Sequence, residues 1–218
     1  MSTASSLRTK VRRVPARAAY DRETIDVILD EAMVAHVGFL HEGQPYVIPT
    51  LHARIGDTVY FHGSAAGRAI RTLGEGAPAC LTVTLLDGVV LARSAFHHSV
   101  NYRSVVVLGR AHPLEEPSER ASALEALVER LLPGRWPEVR PPSPKELRAT
   151  GVLALALDEA SAKARTGPPV DDQDDYLRDN WAGVIPLRMA AGVPQSDPRL
   201  APGTAASSVV QGWIERHR

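Results

Sequence analysis

The sequence predicts a mainly β protein: a small closed barrel with helices on its outside. Three observations carry that expectation. Six or seven short apolar runs are separated by turn residues, and two helical stretches are inserted between them. The strand–helix alternation of a doubly wound sheet is missing, together with any G-x-G-x-x-G. With 218 residues, 44% of them apolar and 23% charged, the chain suits one such domain with appendages.

The opening MSTASSLRTKVRR is polar and basic, without the apolar run of a signal peptide, so residues 1–19 are expected to form a flexible arm. A single domain is expected over 20–193. Asp21 caps a helix in which Ile25, Ile28, Leu29, Ala32 and Met33 share one face. VAHVGFLHEGQPYVIPTLHARIGDTVYFHG then reads as three strands of an antiparallel meander, turning at Glu42-Gly43-Gln44 and Gly56-Asp57. Gly67 to Leu73 suits a short helix stopped by Gly74 or Gly76.

ACLTVTLL and VVLARSAF flank Asp87-Gly88, which reads as a tight hairpin turn. SVVVLGRAHPL is a further strand. Pro117 to Leu132 forms an amphipathic helix with a stripe of Ala121, Leu124, Leu127, Val128 and Leu131, ended by Pro133-Gly134. The Pro-rich WPEVRPPSP leads to a short helix at Lys145–Ala149, and GVLALALDEASAK makes a last strand. From 194 to 218 a tail rich in Ala, Gly, Ser and Pro is expected to be loosely ordered, with WIER able to pack.

Lys plus Arg equals Asp plus Glu at 25 each, which gives no footprint for nucleic acid or a membrane surface. No stretch approaches a membrane span. Cys80 is the single cysteine, so an intramolecular disulfide is impossible and thiolate zinc is not expected. Its apolar setting reads as an inert buried thiol. These features point to the cytoplasm.

Three stretches hold candidate chemistry. In YFHGSAAGRAIRTL a strand delivers His62-Gly63-Ser64 to a helix beginning near Gly67-Arg68, an arrangement of backbone N–H groups, hydroxyl and guanidinium suited to a phosphomonoester; the alternative is a plain turn capped by Ser64. In RSAFHHSVNYRSVVVLG, Asn101 and Arg103 fall on one face of a strand and can serve one ligand, or merely decorate an edge. Adjacent His97 and His98 point opposite ways with no carboxylate nearby in sequence, so no metal is expected there. In KARTGPPVDDQDDYLRDNWAGVIPL the acidic run reads as a solvated turn capping a helix at Tyr176–Asn180, and Trp181 is left as a stacking platform or a core residue.

In order and spacing these segments resemble the pyridoxamine 5'-phosphate oxidase-like superfamily of flavin-binding split barrels, and most closely its bacterial flavin-nucleotide-binding branch. YDRETIDVILDEA, PYVIPTLHARIGDTVYFHGSAAGRAIRTL, LARSAFHHSVNYRSVVVLGRA and KARTGPPVDDQDDYLRDNWAGVIPL carry the likeness from Tyr20 to about Leu187. The resemblance implies a six-stranded antiparallel split β-barrel with peripheral helices. It implies a homodimer that binds FMN at the subunit interface, with FAD, deazaflavin or haem as alternatives. Ser64 and Arg68 would hold the phosphate beside His62 and Gly63. Pro49, Thr50 and Leu51 would border the ring, Asn101, Tyr102 and Arg103 would line the same cleft, and Trp181 would close it from the partner subunit. The function implied is a flavin-dependent oxidoreductase acting on a small organic molecule, or a non-catalytic flavin- or haem-binding protein. No catalytic side chain is singled out, because a flavin carries the electrons itself.

Overall fold

A computed structural model describes residues 3–218. Its centre is one antiparallel sheet of ten strands rather than six. Seven are long: β2 (Val34–His41), β3 (Gln44–Ile55), β4 (Thr58–Ser64), β5 (Pro78–Leu91), β6 (Ser99–Arg110), β8 (Thr150–Ala156) and β9 (Glu159–Arg165). Three are short additions: β1 (Ala18–Ala19), β7 (His112–Pro113) and β10 (Gly183–Pro186). The order is β1-β9-β6-β5-β2-β3-β4-β8-β7, with β10 on β5. Consecutive β8 and β9 lie at opposite ends of this order, with β8 on β4 and β9 on β6. That seam splits the barrel.

Inward residues alternate along the strands as a half-buried pleat requires. Val37, Val59, Leu81, Val83, Val105, Leu153 and Leu155 are buried in one core. Helix α1 (Arg22–Glu31) buries Ile25, Ile28 and Leu29 in the same core. It starts where expected, with Asp21 Oδ1 accepting from the Thr24 N–H at 2.8 Å. Three such side chains contribute roughly 1.5–3 kcal/mol each by leaving water.

Helix α2 (Arg68–Gly74) follows β4, and α3 (Pro117–Leu131) with α4 (Pro144–Ala149) forms an insertion between β7 and β8. Ser143 and Glu146 make a reciprocal capping box for α4.

Two strand assignments need correction. Asp87-Gly88 is no hairpin: β5 runs straight through, with an irregularity against β6 between Leu86 and Gly88. A Cβ on Gly88 would stand 2.9 Å from Val184 and 3.1 Å from the Ile185 carbonyl oxygen, so the glycine admits the close approach of β10. GVLALALDEASAK is two strands, broken at Leu157-Asp158, because its halves pair with different neighbours.

The ends are built in. Thr9 is buried, Arg8 pairs with Glu159, and the Val11 N–H donates to Tyr20 Oη at 2.9 Å. At the other end α5 (Ser208–Arg216) packs back toward the insertion, where Ser207 Oγ donates to Glu138 at 2.9 Å. Among the described residues no helix is long and apolar enough to cross a membrane.

Candidate functional site

A pocket of about 270 Å³ opens where β4 passes into α2, lined by Thr50, His62, Gly63, Ser64, Gly67 and Arg68 among others. Its shape depends on missing side chains. A Cβ at Gly67 would stand 2.9 Å from the Ser64 carbonyl oxygen, which accepts the Gly67 N–H at 2.8 Å in the tight turn. The turn and Ser64 are left exposed beside Arg68. Arg68 lies over the Tyr46 ring at 4.5 Å and makes no ion pair among the described residues, so its guanidinium is fixed in direction yet unneutralised. Helix α2 has only seven residues. Turn, hydroxyl and guanidinium, more than a helix dipole, make this pocket fit an anion.

His62 borders a second space. A mainly apolar cavity of about 510 Å³ lies between β3–β4 and the inserted helices, walled by Leu51, His62, Leu124, Leu127, Val128 and Trp136 among others. The α3 stripe read from the sequence therefore faces this hollow, where only Leu127 of it is fully buried. His62 Nδ1 is buried without a hydrogen-bond partner, and burial pushes the imidazole pKa below its usual value. A neutral ring with an unpartnered nitrogen beside an apolar cavity is a ligand in waiting.

Among the described residues no other histidine puts such a nitrogen beside a cavity. His52 Nδ1 is also buried without a partner, but that ring bonds the Leu29 carbonyl oxygen through Nε2 at 3.0 Å and lines none of the cavities described. His36 faces outward on β2, and His98 bonds the Ser94 carbonyl oxygen. His97 corrects a sequence expectation: the fold brings its Nε2 to 3.4 Å from Asp172, with Asp175 close by, although no carboxylate is near it in sequence.

The remaining predicted residues divide. Thr50 joins the anion pocket and Leu51 the apolar cavity, while Pro49, exposed opposite His36 on β2, lines neither. Asn101 is buried and turned to the arm: its Nδ2 donates to the Gly167 carbonyl oxygen at 3.1 Å and its Oδ1 accepts from Arg165. Tyr102 sits half-buried opposite Arg165. Arg103 is held between Glu31 and Asp87, which raises its pKa, and it lines a different cavity altogether.

The acidic stretch is an anchored arm. Asp171 is wholly enclosed and accepts from the Arg93 N–H at 3.0 Å and the Arg93 guanidinium at 3.1 Å. Its short helix is a 3-10 turn at Gln173–Leu177, earlier than expected. Trp181 stands 64% exposed with its ring over Gly183, where a Cβ would meet it at 2.8 Å. Nothing in the sequence separates Asp171 from its acidic neighbours; only Arg93 in the folded chain does. Arg165 carries no signal for the same reason, since its partner Asn101 lies 64 residues away in sequence.

The sequence profile described as pyridoxamine 5'-phosphate oxidase matches residues 21–164. No curated protein matches the chain. Among solved structures, the flavocytochrome Anf3 from Azotobacter vinelandii is 45% identical, with 100% of this chain and 99% of that one covered and a TM-score of 0.91. The FAD and haem binding protein from Mycobacterium smegmatis is 39% identical over 90% of this chain and 96% of its own, with a TM-score of 0.86.

Proposed function

The chain belongs to the pyridoxamine 5'-phosphate oxidase family, and on that premise we propose that it is a redox protein holding a flavin and a haem side by side. The observation that carries the reading is His62, one imidazole bordering both the anion pocket and the apolar cavity. Two relatives at 45% and 39% identity are named for such cofactors, one as a flavocytochrome and one as binding FAD and haem.

The residues present fit both groups. For a flavin, FAD rather than FMN by likeness to the second relative, the Gly63–Arg68 turn supplies donors to a phosphate, and Thr50 sits at the pocket wall. For a haem, the cavity supplies aliphatic walls from α3, Trp136 and a neutral His62, and Arg140 at its edge is already paired with Glu146. The flavin and haem would supply the electron transfer when bound. The chain binds and orients them, and the α3 side chains keep water from the His62 side. Burial favours the neutral form of His62, which leaves one of its ring nitrogens as an acceptor.

The working unit in this reading is a homodimer. Val34, Leu40 and Val47 stand exposed on β2 and β3, apolar side chains that a second copy would cover. Trp181 then reaches the partner's flavin. The molecule oxidised or reduced in this reading is a small organic compound, and the setting is the cytoplasm.

Absorbance and mass spectrometry of the chromophores that copurify test the reading. A flavin band with a Soret band is expected. Arg68→Glu should strip flavin, and His62→Ala should lose the Soret band while flavin stays. Colourless protein that takes up neither group on addition would end the proposal.

A further inference from the structure

A cavity of about 980 Å³ belongs to neither compartment. It lies between the barrel and the chain's last segment. Residues 187–191 form one wall, clamped at both ends: the Leu187 N–H donates to the Asp87 carbonyl oxygen at 3.0 Å, and the Ala191 N–H donates to the His217 carbonyl oxygen at 2.6 Å. Trp213 of α5 lines the cavity and is stiffened by a stack on His217, the ring centroids 4.1 Å apart. Leu86 and Met189 add apolar surface.

The charges around it do not balance. Three carboxylates line the cavity, and all are already engaged: Asp30 by Arg54, and Glu31 and Asp87 by Arg103. Arg130, Arg188 and Arg216 also line it, and none makes an ion pair among the described residues. Arg130 reaches only the Ala32 carbonyl oxygen, at 3.1 Å, and its Nε is buried with no acceptor at all. A buried guanidinium donor without an acceptor costs stability unless something accepts from it.

We propose that this cavity binds an organic anion with a flat apolar body, its carboxylate met by Arg130, Arg188 and Arg216 and its ring by Trp213. An inorganic anion would leave the apolar wall unused, and a neutral aromatic would leave the guanidinium groups unanswered.

Isothermal titration of the protein, with whatever chromophore it carries, against 2-naphthoate and its neutral counterpart 2-naphthamide tests the assignment. Naphthoate should bind at least tenfold more tightly than the amide, since one charge-assisted bond carries about that factor. Arg216→Gln, on the terminal helix, should remove most of the difference, and Trp213→Ala should weaken both compounds. Arg130→Gln should act like Arg216→Gln; should it fail to fold, the Arg216 variant decides alone. Equal binding of acid and amide, or binding untouched by Arg216→Gln, overturns the proposal. So does loss of a copurifying flavin in Arg216→Gln, which would make this cavity the flavin's own.

Discussion

Ile70 occupies the volume that a side chain at Gly151 would need. Gly151 of β8 lies opposite Gly63 of β4, and Ile70 reaches from α2 across both, close enough that a Cβ at Gly63 would stand 3.1 Å from its Cγ1. Paired glycines thus let α2 settle against the sheet, and the depth of that seat sets the shape of the turn carrying Ser64 and Arg68. Gly151→Ala is expected to lower stability by about 1–3 kcal/mol through overpacking. It should also weaken flavin retention, although residue 151 does not itself line the pocket. Urea denaturation alongside flavin titration checks both; unchanged retention at reduced stability would uncouple the two.

Acid should act through two histidines. Burial lowers the pKa of His52 and of His62 below 6.5. The folded state therefore binds fewer protons than the unfolded chain, so stability is full above about pH 6.5 and falls as the pH drops below it. In His52→Gln the fall below pH 6.5 should be shallower, as read by thermal denaturation from pH 7.5 to 5. The same series should show any Soret band declining with acid as His62 takes a proton.

Arg103 predicts a different pH signature. Its bond to Glu31 holds that carboxyl below its ordinary value, a contribution present above the usual carboxylate range and lost as the pH falls through it. Arg103→Gln should cost about 1 kcal/mol at pH 7, since the pairs are partly exposed. Variant and parent should converge once the pH falls below the lowered value of Glu31. A gap that persists in acid would assign the loss to packing.

Gly183→Ala should dislodge one ring. The added methyl would meet Trp181 at 2.8 Å, and the exposed indole can swing away. Stability should change by about 1 kcal/mol or less. Near-ultraviolet circular dichroism should register the ring's new setting, and a flavin closed by that ring should dissociate faster.

Much of the barrel was legible in the residues themselves. The Asp21 cap, the meander turns and the stripe of α3 follow from local chemistry and stand close to where they were expected. Asp87-Gly88 misled because a hairpin and a crowded crossing both call for glycine, and only the arrival of Val184 and Ile185 distinguishes them. The stripe of α3 announced an apolar face without saying that it would look into a hollow. Among the candidate site residues, Thr50, His62, Gly63, Ser64 and Arg68 meet because β3, β4 and α2 are neighbours in sequence. Asn101 and Arg103 carry the same polar character, yet their partners, Gly167, Arg165, Glu31 and Asp87, arrive from other parts of the chain.

The bonds from Asn101 to Gly167 and from Arg93 to Asp171 have a thermodynamic consequence. The segment leading to Trp181 loses its freedom when the protomer folds, so that loss is absent from any later association. In the proposed homodimer a second copy would therefore meet a backbone already in place, with only the Trp181 ring left to settle against it.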